Sequence, residues 1–236
     1  MRTFLILGMF TASLANAAWR DYQETRDLTL DAAGIGTVVI EAGAGSLEVR
    51  GNADANAISV TALIQVPEKE EKALKIIESD LVLTLERDGD SAVLNGYFES
   101  NGWGWGDSPS IRLEVEVPDR VGLEVDDSSG SIIIRDVSGE IDIEDGSGSL
   151  QMSNVGGNVR IEDGSGSVSV EGVGGDISID DGSGSITVRD VRGSVVVDDG
   201  SGSIKVTDVG ADLIIKEDGS GSLNFARIEG RVEKDD

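Results

Sequence analysis

The chain has 236 residues, with 45 acidic and 19 basic side chains, a formal net charge of −26, and neither histidine nor cysteine. That charge sets it against phosphate backbones and so against nucleic acid as a partner. The missing residue types remove Ser/His/Asp and Cys/His nucleophilic systems, the usual zinc sites and disulfide cross-links, so stability must come from burial and backbone pairing.

The first residues are Met1-Arg2, an apolar run from Phe4 to Phe10, and small residues ending Ala15-Asn16-Ala17. A short positive segment, an apolar stretch too short to span a bilayer and an Ala-x-Ala site predict a signal peptide over residues 1–17. The expected mature chain is exported, periplasmic or at the cell surface, and does not span the membrane.

Residues 18–125 read as a β-rich region, with apolar alternation at Thr37–Ile40, Ser46–Val49, Ile58–Ile64, Leu81–Leu85 and Ile111–Val117. Between them, Pro67, the acids Glu68, Glu70 and Glu71, and the apolar face of Ala73, Ile76 and Ile77 predict a helix over 68–79. A glycine-flanked aromatic segment follows and is read as a loop over 97–109, where Tyr97, Phe98, Trp103 and Trp105 are candidate ligand contacts for a sugar ring or a lipid headgroup. The alternative for this loop is a plug over the open end of the fold.

From 126 to 236 the chain repeats. Asp-Gly-Ser-Gly-Ser begins at Asp145, Asp163, Asp181, Asp199 and Asp218, at spacings of 18, 18, 18 and 19 residues. A degenerate copy starts at Asp127, and Gly43-Ala44-Gly45-Ser46-Leu47 resembles an isolated first copy. Each unit carries five apolar positions, such as Leu150, Met152, Val155, Val159 and Ile161, in two alternating stretches separated by a turn. Hairpins impose no identity between successive units, whereas parallel stacking sets each residue on its own copy about 4.8 Å away. The prediction is an all-β parallel β-helix, right-handed, with 18-residue rungs, one short helix in its N-terminal part, a bulge near Lys216 and a C-terminal cap around Phe225.

The order Val115-Glu116-Val117-Pro118, Leu123-Glu124-Val125 and then glycine-serine turns, each followed by an alternating strand and a Val-x-Gly turn, resembles the bacterial "putative adhesin" β-strand-repeat proteins, a domain family of unknown function. The likeness runs from about Ile35 to the C-terminus. It implies a β-helix in the envelope or at the surface and offers no catalytic residues.

Alignment of the units produces two acidic columns. Asp127, Asp145, Asp163, Asp181, Asp199 and Asp218 form one; Asp126, Glu144, Glu162, Asp180, Asp198 and Glu217 form the other. The first column either caps its own turns by accepting backbone N–H groups or holds calcium between rungs, and the second reads as a solvated edge. Two serine columns beginning at Ser147 and Ser149 present hydroxyls on one face, the pattern of an ice-binding solenoid, or simply small residues that let the chain turn tightly. Paired acids also permit a calcium-dependent polysaccharide-active enzyme, but an active site needs one rung unlike its neighbours, and the acids recur in every rung. The reading is a non-catalytic binding or scaffolding module whose partner is an envelope glycan, lipid or protein. Intact-mass analysis of protein recovered from the periplasm or medium should find a chain beginning at Ala18.

Overall fold

The computed structural model describes residues 21–99 and 108–234. It is a parallel β-solenoid with a single helix among the described residues. The regular part is built from a short and a longer strand per rung. β7 (Gly122–Val137) spans a whole rung; β8 (Ile141–Asp145) and β9 (Gly148–Val155), β10 (Val159–Asp163) and β11 (Gly166–Val173), β12 (Ile177–Asp181) and β13 (Gly184–Val191), and β14 (Val195–Asp199) and β15 (Ser201–Val209) form the next four. β16 (Leu213–Glu217) and β17 (Ser220–Ile228) follow, and β18 (Val232–Lys234) starts another turn.

Each strand pairs in parallel with its own copy one rung away, with Ile161 between Ile143 and Ile179 and Val170 between Met152 and Val188. The apolar positions therefore stack into continuous inward columns, all of them buried from Ile132 to Ile215. Burying one such side chain contributes roughly 1.5–3 kcal/mol, and a lone rung has too few of them to offset its ordering. The expected bulge is present: Val197 pairs with Ile215 but Asp198 pairs with Glu217, which leaves Lys216 as the extra residue. In the last rung Phe225 continues the column of Val206, yet Phe225 and Val232 are 46% and 42% exposed, so this rung extends the core without covering it.

The N-terminal part joins the same stack in an order that the sequence does not announce. β2 (Thr37–Asn52) is one continuous rung, and it pairs in parallel with β7 such that Gly45 meets Gly130 and Leu47 meets Ile132. On its other face β2 pairs in parallel with β5 (Ser91–Phe98) and β6 (Ser110–Pro118), which together make a further rung. The chain thus lays down an inner rung first, leaves, returns to build the outer one, and then resumes inward with β7.

Between these passes, β3 (Ala57–Val66) pairs antiparallel with β6, β1 (Tyr22–Asp31) with β3, and β4 (Leu81–Asp88) with β5. These antiparallel strands close the edge that the outer rung would otherwise expose. The helix α1 (Glu70–Asp80) starts two residues later than its sequence signals suggest, with Lys69 as N-cap and Glu70 and Glu71 in its first turn. Ala73, Ile76 and Ile77 bury against the common core.

One corner fixes the rung-to-rung fit. Gly130, Gly148, Gly166, Gly184 and Gly202 have φ between 141° and 158°, and a Cβ on Gly166 would lie 1.8 Å from the carbonyl oxygen of Gly148. Only glycine fits that approach. Gly166→Ala is expected to cost roughly 3 kcal/mol through backbone strain and overlap, while Ser167→Ala, at an exposed neighbour, stays within about 0.5 kcal/mol. Chemical denaturation of the two variants checks both.

Candidate functional site

Two features meet at the glycine corner. The first is the aspartate column, whose direction follows from strand parity. Ile141, Ile143 and Asp145 lie on one face of β8, and Ile177, Ile179 and Asp181 on one face of β12. The aspartates therefore point inward with the core: Asp127, Asp145, Asp163, Asp181 and Asp199 are all buried, at 0–5% exposure. Parallel pairing sets Asp127 on Asp145, Asp145 on Asp163, Asp163 on Asp181 and Asp181 on Asp199.

Each of the last four accepts a hydrogen bond on Oδ1 from the backbone N–H two residues on. Ser147 donates to Asp145 at 3.0 Å, Ser165 to Asp163 at 3.1 Å, Ser183 to Asp181 at 3.0 Å and Ser201 to Asp199 at 3.0 Å. Ser128 and Ser129 serve Asp127 through their backbone. This is the turn-capping role. Across rungs the same corner is tied by main chain, with Gly164 N–H donating to the Asp145 carbonyl at 2.9 Å and Gly166 N–H to the Ser183 carbonyl at 2.9 Å.

Burial, and next the neighbouring aspartates, push the Asp127 carboxyl up to about 6. The same two causes raise Asp181 to about 6, and burial first of all raises Asp145, Asp163 and Asp199. Asp218, after the bulge, differs: it is half-buried and ion-paired with Lys234 at 2.9 Å. The other acidic column faces outward, with Asp126, Glu144, Asp180 and Glu217 exposed and Glu162 and Asp198 half-exposed. Among the described residues no three acidic side chains gather as one metal ion would require; the inner carboxylates come one per rung, each already engaged with its own turn.

The second feature is the aromatic segment. Tyr97 and Phe98 are not in a loop but end strand β5, where they pair antiparallel with Val82 and Leu81. Phe98 packs on the core, and Tyr97 sits over Gly43, its Cβ 2.9 Å from where a Cβ on Gly43 would stand. Trp103 and Trp105 lie outside the described residues.

Register shows what the segment replaces. Gly96 pairs with Ala42 and Ile111 with Gly45, so where β2 turns the corner with Gly43 and Ala44, the outer rung uses residues 97–110. A depression of about 430 Å³ lies there, lined by Glu41, Gly43, Tyr97, Phe98, Pro109 and Ser129 among others. Asp126 and Ser128 line both this depression and a shallow groove along the acidic columns. The serines of the regular corner flank the glycines, half-buried at Ser147, Ser165 and Ser183 and exposed at Ser167 and Ser185.

The class defined by these observations is a parallel β-solenoid with one irregular corner at its strand-covered end. No family model matches the chain, and no curated protein matches it. Solved structures to which it is similar include a "putative cell adhesion protein" from Clostridium sporogenes, at 12% identity over 90% of this chain and 99% of that one, with a TM-score of 0.38. A "putative adhesin" from Bacteroides fragilis is 12% identical over 91% of this chain and 97% of that one, with a TM-score of 0.37. A "putative lipid binding protein" from Parabacteroides distasonis is 14% identical over 91% and 97%, with a TM-score of 0.44. Adhesin-named structures are thus among those to which the chain is similar.

Among the described residues no helix is long and apolar enough to cross a membrane.

Proposed function

We propose that the chain is an exported envelope or surface module that binds or scaffolds without catalysis, and that its ligand contacts the irregular corner at Tyr97 and Phe98. The observation that carries this is the break in the repeat. Every regular rung turns this corner with the same few small residues, and the outer rung alone substitutes residues 97–110, with two aromatic side chains at the rim of a depression. A solenoid needs no such segment for its stacking. An aromatic rim beside acidic side chains suits a sugar ring or a lipid acyl and headgroup boundary, where one face is apolar and the other wet. Non-catalytic action is supported by chemistry: the chain lacks histidine and cysteine, and its buried carboxylates share one environment from rung to rung.

Intrinsic fluorescence titrated with envelope glycans and with lipid vesicles tests the reading. Saturable binding should weaken at least about tenfold in Tyr97→Ala, which removes one aromatic contact worth roughly 1.4 kcal/mol or more, with strand content retained by circular dichroism. Binding that is unchanged in Tyr97→Ala and in the pair Trp103→Ala/Trp105→Ala would move the ligand elsewhere. Turnover of acidic glycans by the same preparation would replace the reading with a polysaccharide-active enzyme.

A further inference from the structure

The turn bonds satisfy only half of each inner carboxylate. In Asp145, Asp163, Asp181 and Asp199 the second oxygen, Oδ2, is enclosed and has no hydrogen-bond partner, in side chains that are 5%, 4%, 1% and 0% exposed. An enclosed, unpaired carboxylate oxygen is costly, and native folds rarely leave one without a proton, water or ion. Here the same lapse occurs in four successive rungs, about 4.8 Å apart.

The groups that bear on the column share its sign. Each member has another aspartate above or below it; Asp126 acts on Asp127, Asp180 on Asp181, and Asp218 on Asp199. Glu144, Glu162 and Asp198 stand next to it on the outer column. At one end the column stops at Ala42, in register with Asp127. At the other, the nearby cation Lys234 is paired with Asp218. Arg160 and Arg189 of the intervening rungs turn to Asp142, Glu162 and Glu171 on the outer faces.

We propose that the inner aspartate column is a buried proton-binding ladder: its carboxyls take up protons on Oδ2 while Oδ1 keeps the turn, and the solenoid is tightest on the acid side of neutrality. Asparagine would mimic the protonated state, since its amide oxygen can hold the turn N–H and its NH₂ group stands where the protonated Oδ2 would be. The proposal does not rest on the corner being a ligand site.

The direction of linkage follows from the raised carboxyls. Their ordinary value is 3.8, and Asp127 and Asp181 lie at about 6. Between those limits the folded chain holds more protons than the unfolded one, so stability grows as pH falls through this window and is lost as pH rises through about 6. Asp208 and Asp212, held below their ordinary value by hydrogen bonds from Arg227 and Arg231, work in the opposite sense, and only at more acidic pH.

The test uses the full chain at fixed ionic strength, with melting temperature followed from about pH 8 to about pH 4.5. The wild type should gain several degrees on acidification. Asp163→Asn/Asp181→Asn should melt above wild type at the alkaline end and show a flatter profile, whereas Glu162→Gln on the outer column should leave the slope intact. A double variant that melts below wild type at every pH, with the slope unchanged, would overturn the ladder. Should the variant fail to fold, proton release decides: wild type unfolded by denaturant in weakly buffered solution near pH 5.5 must release protons, and no release or net uptake would sink the idea. A rise in melting temperature at alkaline pH that is specific to calcium over magnesium and matched sodium chloride, and absent from the double variant, would overturn it in favour of a cation site.

Discussion

The constraint on which this molecule depends is that each rung must offer its neighbour the same backbone outline. Parallel, in-register pairing leaves no freedom at the glycine corner, where the chain of one rung presses on the carbonyl of the one beneath: the Cβ that Gly184 lacks would stand 1.8 Å from the Gly166 oxygen. Identity of sequence from rung to rung follows from identity of contact. The opposite corner is looser and shows it. There the left-handed position is filled by Asp136, Asn154, Gly172, Asp190, Asp208 and finally Arg227, mostly residue types that tolerate such a backbone and bond locally, and side chains bridge the rungs beside the backbone, as Asn154 does to Asp136 next to the bond from Gly156 N–H to the Val137 carbonyl.

The regular half was legible because its signals are local. Eighteen-residue spacing, two alternating stretches and a glycine-serine turn define a rung within a short window, and the one exception, Lys216, was visible as a lengthened interval. The N-terminal half was only partly legible. Four of its strands carry alternation, β2 in two separate stretches, but β1 is half-exposed along its length and β5 leads into the aromatic segment, so neither presents a clear apolar period. Nothing local could reveal that Gly45 sits on Gly130, or that β5 and β6 form the rung on the far side of β2. Those pairings are decided by which edges remain open once the core collapses.

The aspartate column was legible in principle, though turn chemistry leaves its face open. Turn chemistry explains an aspartate before a glycine, and it did predict the bond to the following backbone N–H. Parity gives the rest: residues 141, 143 and 145 alternate with 142 and 144, so an aspartate in phase with two isoleucines faces the core. The outer acids Asp126, Glu144, Glu162, Asp180, Asp198 and Glu217 are the solvated column, as their phase requires. Composition alone could not separate two acidic columns one residue apart, because a shift of one residue along a strand exchanges its faces.

Repetition also divides the work between the two halves of the chain. A property held in common by successive regular rungs, such as the buried carboxyl from Asp127 to Asp199, is cooperative and belongs to the array as a whole. A site for a particular ligand needs asymmetry, and the array supplies none within itself. Asymmetry enters where the chain leaves the inner rung after β2, builds the outer one and closes it with antiparallel strands, replacing two corner residues with a longer segment between Gly96 and Ile111. Because that segment is anchored at both ends in strands of the stack, its aromatic rim is held by the same register that holds the glycines. Tyr97 over Gly43 is the point of contact between the two systems: the absence of a side chain, which lets rungs approach along the regular corner, here makes room for the Cβ of Tyr97.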